Sequence, residues 1–235
     1  MKLKKIYHLA LLLILAGGCN HPSQNLAANI HETAPQLSIS TIPIIAPLGT
    51  LDNPIIKNNV SWTQELQAMR IKKFPEAIIN KQQLVDVKYY TFNGEIHQGQ
   101  LIIDKRLAND IKKIFAVMLK EKFPLQSVIP ISQFNWSDDE SMLKNNTSAF
   151  NYRKVKGKVT LSNHAFGQAI DINPFLNPYV SGKHVSPKGS RYDETVKGTL
   201  SKDSPIVQAF LKLGWQWGGH WKSIKDFQHF EKKLD

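Results

Sequence analysis

Two short stretches of this chain concentrate side chains that bind metals or move protons. The first is Ser162-Asn163-His164-Ala165-Phe166-Gly167-Gln168-Ala169-Ile170-Asp171-Ile172. The second runs Trp215-Gln216-Trp217-Gly218-Gly219-His220-Trp221 and is followed by Asp226-Phe227-Gln228-His229-Phe230-Glu231. His164, Asp171 and His229 are donors of the types that a mononuclear zinc site takes, about three ligands with one position kept for water. Two neutral imidazoles and one carboxylate leave such a site with net positive charge. That charge polarises a carbonyl and lowers the pKa of water from about 15.7 to about 7. A nearby carboxylate must then take up a proton and return it to a leaving amine. Asp226, three residues before His229, can stand near the metal without being a ligand. By residue type and spacing alone, structural roles are the more common reading of such residues, and the wide separation of the two stretches gives no independent support.

Both stretches resemble the M15 peptidases, the zinc D-Ala-D-Ala carboxypeptidases and related L-alanyl-D-glutamate endopeptidases. The family pattern S-x-H-x-x-G-x-A-x-D is matched by Ser162, His164, Gly167, Ala169 and Asp171. D-x-x-H is matched by Asp226 and His229, and the Trp-Gly-Gly approach by Trp217-Gly218-Gly219. Upstream, the stretch from Asn146 to Arg153 looks like the segment that brings an arginine to the substrate. The resemblance spans roughly residues 84–235, with its motifs strongest over 146–231.

The resemblance implies one Zn2+ ion held by His164, Asp171 and His229, with Asp226 as catalytic base. It implies that Arg153 binds a substrate carboxylate or a developing oxyanion, the alternative being a structural salt bridge. Ser162 either donates to substrate or shapes the loop before His164. The implied fold is a single zinc-peptidase domain of DD-peptidase/hedgehog-like type. The implied substrates are peptidoglycan stem peptides, with a D-Ala-D-Ala carboxypeptidase preferred to an L-Ala-D-Glu endopeptidase. A non-catalytic wall-binding lipoprotein of the same fold is the further alternative. His220 departs from the family, whose members often carry Asp after the two glycines, and this leaves the ligands untouched. Gly167 is expected to relieve a tight backbone near the metal. Glu231 reads as a partner of His229 or as a surface charge, and His184 as a bystander.

The N-terminus places this chemistry. Lys2, Lys4 and Lys5 carry three of the eleven net positive charges, and Ile6 to Leu15 is an apolar run broken only by His8. The run is too short to span a bilayer and reads as a secretory signal. The chain has one cysteine, Cys19. It follows Leu15-Ala16-Gly17-Gly18 and resembles the lipobox of bacterial lipoproteins, although Ala16 stands where leucine is more usual. The expectation is a leader over 1–18, an acylated Cys19 and an exported, membrane-anchored lipoprotein facing the periplasm or cell wall. An ordinary signal peptide with an incidental cysteine is the alternative. An exported protein rarely meets DNA, so no nucleic-acid partner is expected. The basic surface fits anionic wall polymer or lipid, and equally a soluble surface. A monomer is expected. One cysteine permits no disulfide and no cysteine-based zinc site.

The remaining pattern describes the scaffold. With 235 residues, 42% hydrophobic and 21% charged, the chain suits one catalytic domain with appendages. Residues 19–60, with five prolines among Ser, Thr and Asn, read as a tether, although Ile-rich patches such as Ile44-Ile45 also suit packing on the domain. The peptidase domain is expected over 61–235. Ser61-Trp62-Thr63-Gln64 is a capping box that opens a helix. Alternation over Leu84–Thr91, Asn93-Gly94 and the return to Ile103 predict a hairpin with a type I′ turn. A helix is expected from Asp104, with Leu107, Ile111, Ile114, Phe115, Met118 and Leu119 buried, ending before Pro124. Leu125–Ile131 reads as a strand and Asp138–Leu143 as a short helix. Residues 174–202 read as a long surface loop. Ser204-Pro205 opens another helix, closed by Gly214. Trp215 to Glu231 is expected as two short strands around Gly218-Gly219. Trp215, Trp217 and Trp221 read as core, with one able to line a cleft. The fold class is α+β, a small antiparallel sheet with helices packed on it.

Overall fold

The structure is a computed structural model and describes residues 47–234. The expected leader, Cys19 and the first part of the tether lie outside the described residues. In chain order the elements are β1 (Ile55–Ile56), α1 (Trp62–Ile71), α2 (Glu76–Ile79), β2 (Gln82–Tyr90), β3 (Ile96–Asp104), α3 (Ala108–Lys120), β4 (Ser127–Val128) and α4 (Asp138–Leu143). β5 (Asn146–Thr147), β6 (Ala169–Asp171), β7 (Tyr179–Ser181), β8 (His184–Ser186), α5 (Pro205–Lys212), β9 (Gln216–Trp217), β10 (Lys225–Asp226) and β11 (His229–Glu231) follow.

β2 and β3 form the expected hairpin, in register from Gln82 opposite Asp104 to Tyr90 opposite Ile96. Its turn is not type I′. Of Asn93-Gly94 only the glycine takes a positive φ, 85°. Gly94 N–H donates to Thr91 O, and Thr91 N–H to Glu95 O. This three-residue loop spares Asn93 the left-handed backbone that type I′ demands.

Alternation along the hairpin gives it two apolar faces. Leu101 and Ile103 join the large core with α3 and α5, while Ile102 joins a smaller one with Met69 of α1 and Ile79 of α2. Ile111, Ile114, Phe115 and Met118 of α3 are each at most 3% exposed. Each contributes about 1.5–3 kcal/mol by its burial. α3 begins at Ala108 rather than Asp104, because Asp104 ends β3, fully buried, with Arg106 Nη2 at 2.8 Å from its Oδ2. The α+β expectation holds, with two short parallel pairings added, β1 on β3 and β4 on β5. The capping box at Ser61 is complete. The strand expected over Leu125–Ile131 shrinks to β4, since the chain turns after Pro130 into a 3-10 turn over Ile131–Phe134.

Residues 47–60 differ from a solvated tether. Ile55 pairs with His97 of β3, and Asn58 Nδ2 and Val60 N–H both donate to Gln100 Oε1. These hydrogen bonds hold the stretch on the hairpin, so the folded body takes in 47–60.

The stretch 174–202 is likewise more than a surface loop. It contains the β7–β8 hairpin, turning at Gly182 with φ 58°, and β7 pairs antiparallel with β10. Buried amides root it. Asn177, 0% exposed, donates to Ile172 O, Asn173 O and Gly198 O and accepts from Leu200 N–H. Asn173, also fully buried, donates to Pro124 O and Gly198 O. No helix among the described residues is long and apolar enough to cross a membrane.

Two outcomes follow for stability. Asn177→Ala strands several buried backbone groups and is expected to lower the unfolding free energy by about 2–4 kcal/mol, read from urea denaturation. Glu65 of α1 is buried, accepts from Ser132 Oγ at 2.7 Å and leaves Oε2 without a partner. Its burial raises its pKa above the ordinary 4.5, against the opposing hydrogen bonds from Ser132 and Gln133. The folded chain then holds this proton more tightly than the unfolded chain, so stability falls as pH rises through that range. Glu65→Gln is expected to stabilise by on the order of 1 kcal/mol at neutral pH. The gain should vanish below the ordinary carboxyl pKa of 4.5, and the same urea titrations at both pH values read it.

Candidate metal centre

The site grows out of strand alternation. In β6, Ile170 and its neighbour Ile172 are fully buried in the large core, which turns Asp171 to the opposite face. In β11, Phe230 enters the same core and stacks on Phe210 at 3.7 Å, which turns both His229 and Glu231 away from it. β6 and β11 are antiparallel, and their register sets His229 directly opposite Asp171. Cross-strand neighbours on one face bring their side chains together.

His164 arrives from a 3-10 turn over Asn163–Phe166. Ser162 caps that turn by accepting His164 N–H, and Gly167 ends it with φ 64°. A Cβ at position 167 would strike Gln82 Oε1 and the backbone nitrogen of Asp104. Glycine is therefore required twice, by backbone conformation and by space. The stretch 148–151 joins this turn to the sheet. Ser148 bridges Asp171, Phe150 N–H donates to Ile102 O, and Asn151 N–H donates to His164 O.

His164, Asp171 and His229 thus converge, with one ligand atom from each all within 4.8 Å of one another. They are 3%, 5% and 7% exposed. Asp171 Oδ1 lies 3.1 Å from His229 Nδ1, and its Oδ2 3.3 Å from His164 Nε2. The outer nitrogens face acceptors. His164 Nδ1 lies 2.6 Å from Ala149 O, and His229 Nε2 lies 3.0 Å from Glu231 Oε2. A carbonyl and a carboxylate only accept, so both outer nitrogens carry protons. In the neutral rings, His164 Nε2 and His229 Nδ1 then turn bare lone pairs toward each other, 3.1 Å apart, beside a carboxylate. Such an arrangement calls for a cation at its centre, and the donor set fits a divalent metal.

The charges agree. Burial opposes a positive His229, yet Asp171 and Glu231 raise its pKa to about 10. Burial also opposes a charged Asp171, but His164 and His229 hold it well below the usual carboxylate range. Either a proton or a metal ion satisfies this centre, so metal uptake releases a proton and weakens as pH falls.

Residues 156–232 match a family model of the M15 peptidases, described as D-alanyl-D-alanine carboxypeptidase. This segment is thus similar to the M15 peptidases. The match points to a hydrolase of the peptidase class, and the His/Asp/His centre lies within the matched segment and is able to bind metal. No solved structure matches the chain.

The other residues read from the M15 pattern are placed unequally. Asp226 is half-buried on β10, held by backbone pairing with Tyr179 of β7. Burial raises its pKa to about 6, the charge of Asp171 adds to this, and the nearby histidines oppose it. Arg153 lies just before the matched segment and pairs with Asp138 at 2.6 Å. Asn151 steadies that aspartate. Arg153 thus has an ion-pair partner on the protein itself. Ser162 is 6% exposed and occupied in capping, as a loop-shaping residue would be. Trp215 and Trp217 are core, at 2% and 3% exposed, while Trp221 lies against the His229 ring with centroids 5.5 Å apart. His220 and His184 are exposed. Cys19 lies outside the described residues.

Residue types alone left Glu231 open between two readings and missed a hairpin. Glu231 is a partner of His229 and also accepts from Asn163 Nδ2 at 2.5 Å. The β7–β8 hairpin beside Asp226 was legible in the alternation of Tyr179-Val180-Ser181-Gly182-Lys183-His184-Val185-Ser186, which carries a turn glycine at its centre. Glu231→Ala removes the acceptor that fixes the His229 tautomer. It is expected to weaken binding of Zn2+, used as the probe ion, by about 10–100-fold in chelator competition, with the fold retained.

Proposed function

We propose that this chain is a zinc-dependent peptidase that hydrolyses a peptide bond in peptidoglycan stem peptides, the terminal D-Ala-D-Ala bond foremost. The observation that carries the reading is the convergence of two tautomer-fixed imidazoles and a buried carboxylate beside Asp226, within an M15 segment. His164 Nε2, an oxygen of Asp171 and His229 Nδ1 would hold the ion. When bound, zinc supplies a Lewis acid for the scissile carbonyl and acidifies a water molecule. Asp226 takes the proton from the attacking water and delivers it to the leaving amine. Its pKa, raised to about 6, keeps both transfers accessible near neutral pH. Arg153, paired with Asp138, is the cation assigned to a substrate carboxylate, which would compete with Asp138 for its guanidinium. We propose further that Cys19 is acylated and tethers the enzyme to a membrane outside the cytoplasm, where wall peptides lie.

Removal of metal with EDTA is expected to abolish release of fragments from purified peptidoglycan, and added Zn2+ to restore it. Asp226→Ala is expected to retain zinc while turnover drops by about 10²–10⁴. Cleavage by Asp226→Ala at the parent rate would refute the assigned mechanism. Mass spectrometry of the digested muropeptides names the bond. Loss of a terminal D-Ala supports the carboxypeptidase, cleavage between L-Ala and D-Glu the endopeptidase, and binding without release under any metal the non-catalytic alternative.

A further inference from the structure

Between Asp226 and His229 lies a residue to which neither the M15 pattern nor the metal centre gives a role. Gln228 is 4% exposed, and its backbone O accepts from Ile172 N–H at 3.0 Å, next to the end of β6. Its side-chain Nε2 donates to Asp226 Oδ1 at 3.1 Å and lies 3.8 Å from Met142 Sδ. Its Oε1 is buried and has no hydrogen-bond partner. An unpaired buried acceptor costs about 1–3 kcal/mol. An apolar side chain of the same length would fill this space without that cost. The carboxamide does one thing such a side chain cannot, which is to engage an oxygen of Asp226. The other oxygen, Oδ2, has no hydrogen-bond partner among the described residues.

We infer that Gln228 is a positioning residue for Asp226, its amide fixing Oδ1 so that Oδ2 is the oxygen that takes and returns the proton. The inference rests on the proposed role of Asp226 as base. An oxygen already accepting an N–H is the poorer site for an incoming proton, so the proton from the attacking water goes to Oδ2. Oδ1 keeps its hydrogen bond whether Asp226 is a carboxylate or an acid, since a carboxylic carbonyl also accepts. The side chain therefore does not swing between the two halves of the cycle. The pairing of Asp226 with Tyr179 holds its backbone, and Gln228 holds its side chain.

The test is a double-mutant cycle in the full chain: parent, Gln228→Met, Asp226→Ala and the double variant, each loaded with Zn2+. Methionine keeps the length and the contact with Met142 but cannot donate. Gln228→Met is expected to lower kcat on peptidoglycan about tenfold or more, with KM and zinc content unchanged. In the Asp226→Ala background the same change should leave the residual rate as it was. The four proteins are also unfolded in urea. The midpoint shift of the double variant should differ from the sum of the single shifts, because the two side chains share one bond. Additive midpoint shifts, or a Gln228→Met rate within twofold of the parent, overturn the inference. Non-additive unfolding in a parent that cleaves no muropeptide leaves Gln228 as the holder of Asp226 and removes the peptidase reading instead. Should Gln228→Met not fold, Gln228→Glu serves as the second variant. It places a like charge against Oδ1 and is expected to lose turnover at least as severely, whereas a parental rate in that variant overturns the inference.

Discussion

A carboxylate buried between two imidazoles is the constraint on which the rest of this molecule is arranged. Asp171 is 5% exposed, and the imidazoles beside it favour its ionised form, a state that an apolar interior alone would not tolerate. It is acceptable because His164 and His229 face it at 3.3 and 3.1 Å, and because a positive charge completes the group. Removing either imidazole takes away one of the two groups that offset the buried charge. The site is thus a structural obligation as well as a chemical one, and a bound metal stabilises the folded chain with the logarithm of its affinity.

That obligation explains why the site is spread over three separate pieces of chain. β6 and β11 supply Asp171 and His229 through one register, and each strand uses its intervening apolar residues, Ile170 and Phe230, to anchor the opposite face. A slip of one residue would send the ligands into the core and the core residues into the site. His164 is not on the sheet, so it needs other fixings. Ser162, Gly167, Ala149 O and the bond from Asn151 to His164 O provide them. The buried asparagines do the same for the 174–202 excursion. Leu200 anchors that stretch in the core and Tyr192 stacks on Phe227, while amide hydrogen bonds set the path between and deliver β7 to the side of Asp226.

Much of this was legible in the sequence where periodicity and side-chain chemistry agree. The hairpin, the apolar stripe of α3, the capping box at Ser61 and the helix at Ser204-Pro205 each follow from a local rule and stand where that rule puts them. The three presumed ligands were legible by motif, yet only the register of β6 and β11 shows why Asp171 and His229 meet. What stayed hidden depends on distant partners. Asn177 looks like a loop residue until Gly198 and Leu200 are seen to close on it. Ile55 looks like tether until β3 offers a free edge. Asp104 looks like a helix cap until the buried end of β3 claims it. Arg153 was named for a substrate, and its partner Asp138 lies fifteen residues earlier on a helix whose acidic face gave no sign of that pairing.

The centre also shows how tautomers divide the labour between two histidines of like type. His164 turns its bare Nε2 inward because Ala149 O holds its Nδ1 proton, and His229 its bare Nδ1 because Glu231 holds its Nε2 proton. The difference follows from how each residue is carried. A strand residue has its i+2 neighbour on the same face, so His229 finds Glu231 within its own strand. A residue in a 3-10 turn has no such neighbour and must take a backbone carbonyl from the adjoining segment. Ligand atom, tautomer and secondary structure are therefore one choice. Exchanging either outer partner would alter the metal centre even with all three ligands intact.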